Sequence, residues 1–250
     1  MKKKYQAMMR IGIGFVAMGA AMSTLAQQTS QVQVYGLVGM YAGKSEISGG
    51  LPPVVQLAHG GLTTSYIGIR GSEDLGGGYK TIFALESFFR ADTGEQGRSA
   101  ADPLFSRNAY VGIEGGFGKL TLGRQTNPTY LNMGTLSPFG SSVVFSPLVL
   151  QSFIASYNGA LVGDTVWNNA IQYTMPRVGG FAGSVVYGLG EVRGNAGAGN
   201  LGLHANYLNG AFTAAFSAQR FRTPVVAPMT EQTGYLLGAT YDFKLSLIHI

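Results

Sequence analysis

The sequence contains no cysteine, and only 12% of its 250 residues are charged. Without cysteine, neither a disulfide framework nor a thiolate metal site is available. The three histidines, His59, His204 and His249, lack the spacing of metal ligands, and no Ser-His-acid arrangement emerges. GFGKL at residues 116–120 lacks the spacing and the final Ser or Thr of a phosphate-binding loop. The sequence therefore predicts no metal, no cofactor and no enzymatic activity.

Long apolar runs are scarce as well, even in the N-terminal segment. Residues 1–26 have a basic start, a short apolar stretch at residues 11–22 and a small-residue end at Ala26. This pattern predicts a signal peptide cleaved near Ala26/Gln27, because the apolar stretch is too short to span a bilayer; a retained anchor is the alternative. The segment holds four of the 17 Lys and Arg residues, which leaves 13 against 12 Asp and Glu. So small a net charge gives no reason to expect a nucleic-acid partner.

After residue 26 no run of eighteen apolar residues occurs, yet 46% of the chain is hydrophobic. A transmembrane helix is thereby excluded. Strands that alternate apolar and polar residues explain both facts, since one face of each strand meets lipid and the other meets water. About ten such strands can be counted, the first at residues 31–43 and the last at residues 233–243.

The connectors between these strands alternate between long and short. Glycine-rich turns, SEDLGGG and EGGFG, close hairpins at residues 65–89 and 106–124, and Asn209-Gly210 is a strong two-residue hairpin signal. Long loops occupy residues 44–61, 90–104 and 125–165, and the last of these has no charged residue before Asp164. This rhythm predicts an all-β, transmembrane, antiparallel up-and-down β-barrel. The alternative, a soluble lipocalin-like barrel, would need fewer strands and a more apolar interior.

Three stretches carry a family resemblance: IGIRGSEDLGGGYK (residues 67–80), RNAYVGIEGGFGKLTLGRQ (residues 107–125) and SPFG (residues 137–140). Through them the chain resembles, to about Phe243, a Gram-negative general diffusion porin of the β-proteobacterial type. The resemblance implies a homotrimer of sixteen-stranded barrels in the outer membrane, surrounded by lipid and lipopolysaccharide. Ions and small hydrophilic solutes would pass through each barrel, and the third extracellular loop would fold inward and narrow the pore.

The resemblance also bears on the ends of the chain. Residues 27–244 would be the N-terminal part of the barrel, with about ten of the sixteen strands. Porins of this type end in a strand with a terminal aromatic residue, whereas this chain ends in LSLIHI (residues 245–250), the translation of a common sequencing adapter. We therefore expect a truncated barrel with a non-native tail; a true terminus is the alternative.

Strand alternation predicts which side chains point into the pore. It directs five of them inward: Tyr66, Arg70, Lys80, Glu86 and Arg107. Tyr110 would face outward. Arg70 lies beside Glu73 and Asp74 in the sequence, so bracing of the adjoining turn is an alternative role for its charge.

The resemblance assigns roles to some of these positions. Arg107 and Arg124 fall on basic wall positions of the pore and Glu86 on an acidic one; a solvated or turn-bracing charge is the alternative for the arginines. Tyr66 stands where relatives often have an arginine. The inward loop lacks the usual carboxylates and is matched by Ser137, Pro138, Phe139 and Gly140.

A basic wall with no acidic loop opposite predicts a channel with weak anion selectivity. Two alternatives remain for the function: a substrate-specific outer-membrane channel and an outer-membrane barrel enzyme.

Overall fold

A computed structural model describes residues 30–46, 52–153, 163–191, 199–223 and 230–244. The predicted signal peptide, residues 1–26, and the predicted tail, residues 245–250, lie outside the described residues. Among the residues that are described, no helix is both long enough and apolar enough to cross a bilayer.

Ten of the described strands form one antiparallel sheet, in which each strand pairs with the next strand of the same sheet along the chain. Two further strands pair only with each other. The bounds of the ten are β1 Gln31–Leu37, β4 Tyr66–Gly76, β5 Tyr79–Phe88, β6 Asn108–Gly115, β7 Gly118–Thr126, β8 Val166–Thr174, β9 Phe181–Gly188, β10 Asn200–Asn209, β11 Phe212–Thr223 and β12 Thr230–Tyr241.

The first predicted strand, residues 31–43, is wrong in its second half. β1 ends at Leu37, and the chain leaves the sheet to form β2 (Met40–Ser45), which pairs with β3 (Val54–His59). Part of the predicted loop 44–61 is therefore a strand. The chain turns away at Gly39, where a Cβ atom would lie 2.8 Å from the carbonyl oxygen of Gly60, so the close approach requires glycine.

Short turns lie at one end of the sheet and long connectors at the other, as predicted. Gly77–Gly78 joins β4 to β5, and Gly179–Gly180 lies between β8 and β9. All four of these glycines have positive φ, at 63, 82, 55 and 86°. A type I′ turn requires positive φ at both central positions, so the local sequence selects a turn whose twist matches the strands.

The hairpin between β10 and β11 differs by one residue from its prediction. Asn209 pairs with Phe212, so the turn consists of Gly210 and Ala211 rather than Asn209-Gly210. Gly210 has a φ of 57°. Glycine at the first central position is the mark of a type II′ turn, and this turn fixes the register of the two strands.

The connector between β7 and β8 folds back across one face of the sheet. It contains two helices, α1 (Pro128–Leu136) and α2 (Pro147–Phe153). The side-chain oxygen of Asn127 accepts a hydrogen bond from the Thr129 amide at 2.9 Å and so caps α1. α1 lies against β10, β11 and β12. We call the face that α1 covers the inner face.

The two faces of the sheet differ in polarity. On β11, Ser217 and Gln219 of the inner face are buried, whereas Phe216 on the other face is 40% exposed. On β1 and β4 the outer face carries Val34 and Ile67, which are 68% and 55% exposed. An apolar outer face and a polar inner face are what a barrel wall between lipid and water requires.

Tyr110 was expected to face outward and lies on the inner face instead. It pairs with Ala84 of β5, which alternates with Glu86 on that face. The expectation counted alternation from Arg107, but β6 begins only at Asn108. Arg107 lies before the regular strand, so its side chain and that of Tyr110 both reach the inner side.

Candidate functional site

Glu86 is the centre of a polar cluster on the inner face of β5. The residue is only 4% exposed. Its Oε1 accepts a hydrogen bond from the Tyr35 hydroxyl, and its Oε2 accepts from Arg107 Nη1 and Asn108 Nδ2. A buried carboxylate is stable only when it is paired and hydrogen-bonded, and these three donors from two neighbouring regions meet that need.

Two arginines of the cluster pack on tyrosine rings. Arg107 Cζ lies 4.1 Å from the centroid of the Tyr66 ring, and Arg70 Cζ lies 4.6 Å from the centroid of Tyr35. Arg70 Nε and Nη2 also donate to Gln33 Oε1 at 3.0 and 2.8 Å. Contacts of this kind hold guanidinium groups against the wall while leaving part of each charge in water. Arg70 thus forms hydrogen bonds with Gln33. These bonds do not support the alternative role in which Arg70 braces the turn beside Glu73 and Asp74.

Lys80 lies apart from this cluster, at the short-turn end of the same strand. It pairs with Asp74 of β4 and with Glu114 of β6. Six residues of strand separate it from Glu86, which corresponds to about 20 Å. The structure therefore brings Tyr66, Arg70, Glu86 and Arg107 together but not Lys80.

Arg124 lies near the end of β7, and its side chain is held by neighbouring polar groups. Its Nε and Nη2 donate to the carbonyl oxygen of Ser106 at 2.9 and 2.7 Å, and Nη1 donates to Asn168 Oδ1. Arg124 lies two residues after Leu122 on β7, so strand alternation assigns both residues to the same face. Leu122 is 47% exposed on the outer face. The register of β7 therefore does not itself direct Arg124 to the inner face.

Hydrogen bonds fasten the loop to the inner face of β11. Gln219 Oε1 accepts from Asn127 Nδ2 at 3.2 Å and from Thr129 Oγ1 at 2.6 Å. One turn further along α1, Asn132 Nδ2 donates to Ser217 Oγ at 2.9 Å. Sequence analysis missed these contacts; the polar residues Ser217 and Gln219, which lie two positions apart and so share one face of β11, were the available signal.

The segment Ser137, Pro138, Phe139 and Gly140 follows α1 directly. Ser137 Oγ accepts from the Phe139 amide at 3.2 Å and from Ser146 Oγ at 2.9 Å, so the segment forms a closed turn. Phe139 is 45% exposed. Beyond this turn, Ser142 Oγ donates to the carbonyl oxygen of Gly61 at 2.6 Å, which ties the loop to the chain just after β3.

A second charged cluster, also missed by sequence analysis, joins two long loops. Arg98 donates to Asp102 Oδ2 at 2.8 Å and to Asp164 Oδ1 at 2.8 Å. Burial disfavours every charge here, but the hydrogen bonds within the cluster outweigh it. They raise the pKa of Arg98 and hold the pKa values of Asp102 and Asp164 below the usual 3.8. The cluster therefore stays ionised near neutral pH and joins residues 90–104 to the base of β8.

The profile described as "Gram-negative porin" matches residues 15–246, which is nearly the full length. This chain belongs to the Gram-negative porin family. Curated relatives of this porin in Delftia, Bordetella and Neisseria are β-proteobacterial, as the resemblance implied. Its antiparallel sheet has the β-barrel fold of the family.

Two curated relatives are outer membrane porins. Outer membrane porin protein 32 of Delftia acidovorans is 30% identical over 194 residues, covering 76% of this chain and 54% of the relative. An outer membrane porin protein of Bordetella pertussis is 27% identical over 195 residues, covering 71% and 48%. The chain thus spans about half the length of the curated relatives it matches. Its family and these relatives locate this porin in the outer membrane.

Solved structures agree with this assignment. The anion-selective porin from Comamonas acidovorans superimposes with a TM-score of 0.71 at 28% identity, covering 86% of this chain and 64% of that one. The Salmonella typhi OmpF complex with daunomycin gives a TM-score of 0.55 at 16% identity, covering 86% and 62%. At that identity the likeness to OmpF concerns the fold alone.

Proposed function

We propose that the full-length protein is a general diffusion porin that conducts ions and small hydrophilic solutes through a water-filled channel with a weak preference for anions. The observation that carries the proposal is the inner-face cluster of Arg70, Glu86 and Arg107, which lies on the side covered by an uncharged loop. Family membership supports the channel, and the charges of this cluster support its selectivity.

The sign of the selectivity follows from counting charges in the cluster. Two guanidinium groups, Arg70 and Arg107, accompany one carboxylate, Glu86, so the group carries one net positive charge. The loop across the inner face has no charged residue between Gln125 and Asp164 that could offset it. In a narrow aqueous passage with low-dielectric walls, one uncompensated positive charge raises the local concentration of anions.

Roles within the channel follow from the same geometry. In this proposal Arg107, Arg70 and Tyr66 line the narrow part, Glu86 orients Arg107, and the turn Ser137, Pro138, Phe139 and Gly140 narrows the passage. Lys80 lines the wider part near the short turns, and Arg124 acts mainly at the rim.

The proposed assembly extends beyond one chain. Residues 27–244 form the N-terminal part of a barrel embedded in lipid and lipopolysaccharide, and three copies assemble as a homotrimer. The mass of the detergent-solubilised full-length protein tests the assembly. A monomeric mass at concentrations that preserve conductance would contradict it.

Ion selectivity is tested by reconstituting the full-length protein in planar bilayers and measuring the zero-current potential across a KCl gradient. We expect a potential of the sign that chloride-preferring channels give, and a small magnitude. A potential of the opposite sign would contradict the proposed anion preference while leaving the channel itself intact.

Solute flux separates this function from its two alternatives. Flux of small sugars and amino acids into liposomes should rise linearly with concentration, because diffusion through water does not saturate. Saturation at low concentration would instead indicate a substrate-specific channel, and hydrolysis of an offered ester or peptide would indicate a barrel enzyme.

A further inference from the structure

A row of charged residues crosses the inner face near the short turns. Asp74, Lys80, Glu114 and Lys119 lie on four adjacent strands, and each pairs directly with the next across the ladder. Their signs alternate along the row. This row is separate from the Glu86 cluster and belongs to the opposite end of the same strands.

Asp74 already has a structural role within the row. Its Oδ1 accepts a hydrogen bond from the Gly76 amide at 2.8 Å, which stabilises the irregular step of β4 before the turn. The other three charges are different. Within the described part of the chain, no ion pair of 4.0 Å or less involves Lys80, Glu114 or Lys119. We call these three residues the charged shelf.

The charged shelf borders a depression that a small solute could enter. The depression has a volume of about 410 Å³ and is lined by the three shelf residues, by Thr174 and by residues at the neighbouring turns, Gly78, Gly115, Gly118, Met175 and Pro176. This volume falls within the range of about 300–1,000 Å³ that is usual for ligand clefts. Two ammonium groups and one carboxylate therefore face the same water-filled space.

The order of the charges defines the ligand they fit. Adjacent strands lie about 4.8 Å apart, so Lys80 and Lys119, two strands apart, flank Glu114 at about 10 Å from each other. Their flexible stems allow the two ammonium groups to converge on a ligand held between them. The complementary solute has one ammonium group between two carboxylates, which is the charge pattern of an acidic amino acid.

We propose that the charged shelf is a low-affinity binding site for acidic amino acids on their way through the channel. Lys80 and Lys119 each bind one carboxylate of the solute, and Glu114 binds its ammonium group. Exposed ion pairs are individually weak, so three of them together hold a solute briefly without blocking its passage. The proposal rests on the proposed channel function.

The test measures current through single channels of the full-length protein while L-aspartate is added, with succinate as the matched dicarboxylate that lacks the ammonium group. We expect L-aspartate to reduce the current at a concentration about threefold lower than succinate, because one further exposed ion pair has an effect of about that size. Equal potency of the two solutes would overturn the role of Glu114.

Variants assign the effect to the shelf. Glu114→Gln should abolish the preference for L-aspartate over succinate, and the double change Lys80→Gln with Lys119→Gln should weaken the effect of both solutes by severalfold. Lys44→Gln, which removes one lysine on the β2–β3 hairpin at the other end of the sheet, should change neither. An undiminished L-aspartate effect in the double variant would overturn the binding site.

The two proposals fail in different ways. If the full-length protein conducts but none of these solutes reduces its current, the binding site is wrong and the channel function stands. If the protein gives no channels at all, the proposed function fails, and the binding site fails with it.

Discussion

At the scale of single residues, the two arginines expected on the pore wall have different surroundings. Arg107 packs on Tyr66 and pairs with Glu86 on the inner face, whereas Arg124 is fastened to Ser106 and Asn168 at the end of β7. A charge acts on a passing ion mainly when it lies within a Debye length of it, about 8 Å at physiological salt. The two guanidinium groups should therefore contribute unequally to selectivity.

This difference gives a prediction for charge-neutralising variants. Arg107→Gln should lower the chloride-to-potassium permeability ratio of the reconstituted full-length channel by about twofold, a change within the range of one exposed charge interaction. Arg124→Gln should lower it by less. Zero-current potentials across a KCl gradient measure both, with Lys44→Gln as a lysine control on the β2–β3 hairpin. An equal or larger effect of Arg124→Gln would contradict the roles given to the two residues.

At the scale of elements, buried hydrogen bonds between α1 and β11 help to hold α1 across the inner face. Gln219 supplies the acceptor for two of them. A buried hydrogen bond contributes about 0.5–1.5 kcal/mol, so the docking of α1 depends strongly on this one side chain.

Replacing that acceptor should loosen the loop. Gln219→Met keeps the volume but removes both hydrogen bonds, and we expect larger current fluctuations and a higher mean conductance in single-channel recordings. Gln31→Met, the same substitution on the inner face of β1, should change neither the current fluctuations nor the mean conductance. If the current fluctuations of the Gln219→Met channel equalled those of the unaltered channel, the docking of α1 would not depend on Gln219.

The ion pairs of the Arg98 cluster should make the stability of the loop at residues 90–104 depend on pH. Asp102 and Asp164 have pKa values below 3.8 in the folded protein, so their pairing with Arg98 contributes stability above that pH. This stability is lost as the pH falls below 3.8 and through the lower folded pKa values. Pepsin cleavage within residues 90–104 of the detergent-solubilised protein should therefore increase below pH 3.8.

Variants separate this effect from general acid unfolding. Asp164→Asn should make the same loop sensitive even above pH 3.8, because the contact to β8 is then weakened at every pH. Asp242→Asn, a control substitution at the short-turn end, should leave this loop as resistant to pepsin as it is in the unaltered protein. A loop equally resistant at all pH values in the unaltered protein would show that the cluster does not hold it.

At the scale of the whole molecule, β1 and β12 are the ends of the sheet among the described residues. A strand edge in lipid leaves N–H and C=O groups without partners, at a cost of several kcal/mol for each group. Residues 27–244 expressed alone should therefore give neither a heat-resistant band on electrophoresis nor stable conductance, whereas the full-length protein should give both. Stable channels from the fragment would contradict this expectation.

The sequence predicted those features of the whole molecule that depend on neighbouring residues. The alternation of long and short connectors and the outward direction of Ile67 follow from strand period and turn chemistry, and both are found. The docking of α1 and the Arg98 cluster were not predicted. Asn127 and Gln219 are 92 residues apart in the sequence, and Arg98 and Asp164 are 66 residues apart. Local sequence patterns do not predict pairs that are so distant along the chain.

The glycine-filled turns have a consequence for how such a chain can vary. At that end of the sheet Gly77–Gly78 and Gly179–Gly180 adopt backbone angles that other residues rarely tolerate, so nearly every substitution or insertion there disturbs a strand register. The long connectors also contain positive-φ glycines, such as Gly94 and Gly140, but they can take up an insertion elsewhere along their length. Changes in chain length should therefore be tolerated mainly at the long-connector end of the molecule, whereas the short-turn end preserves the strand register.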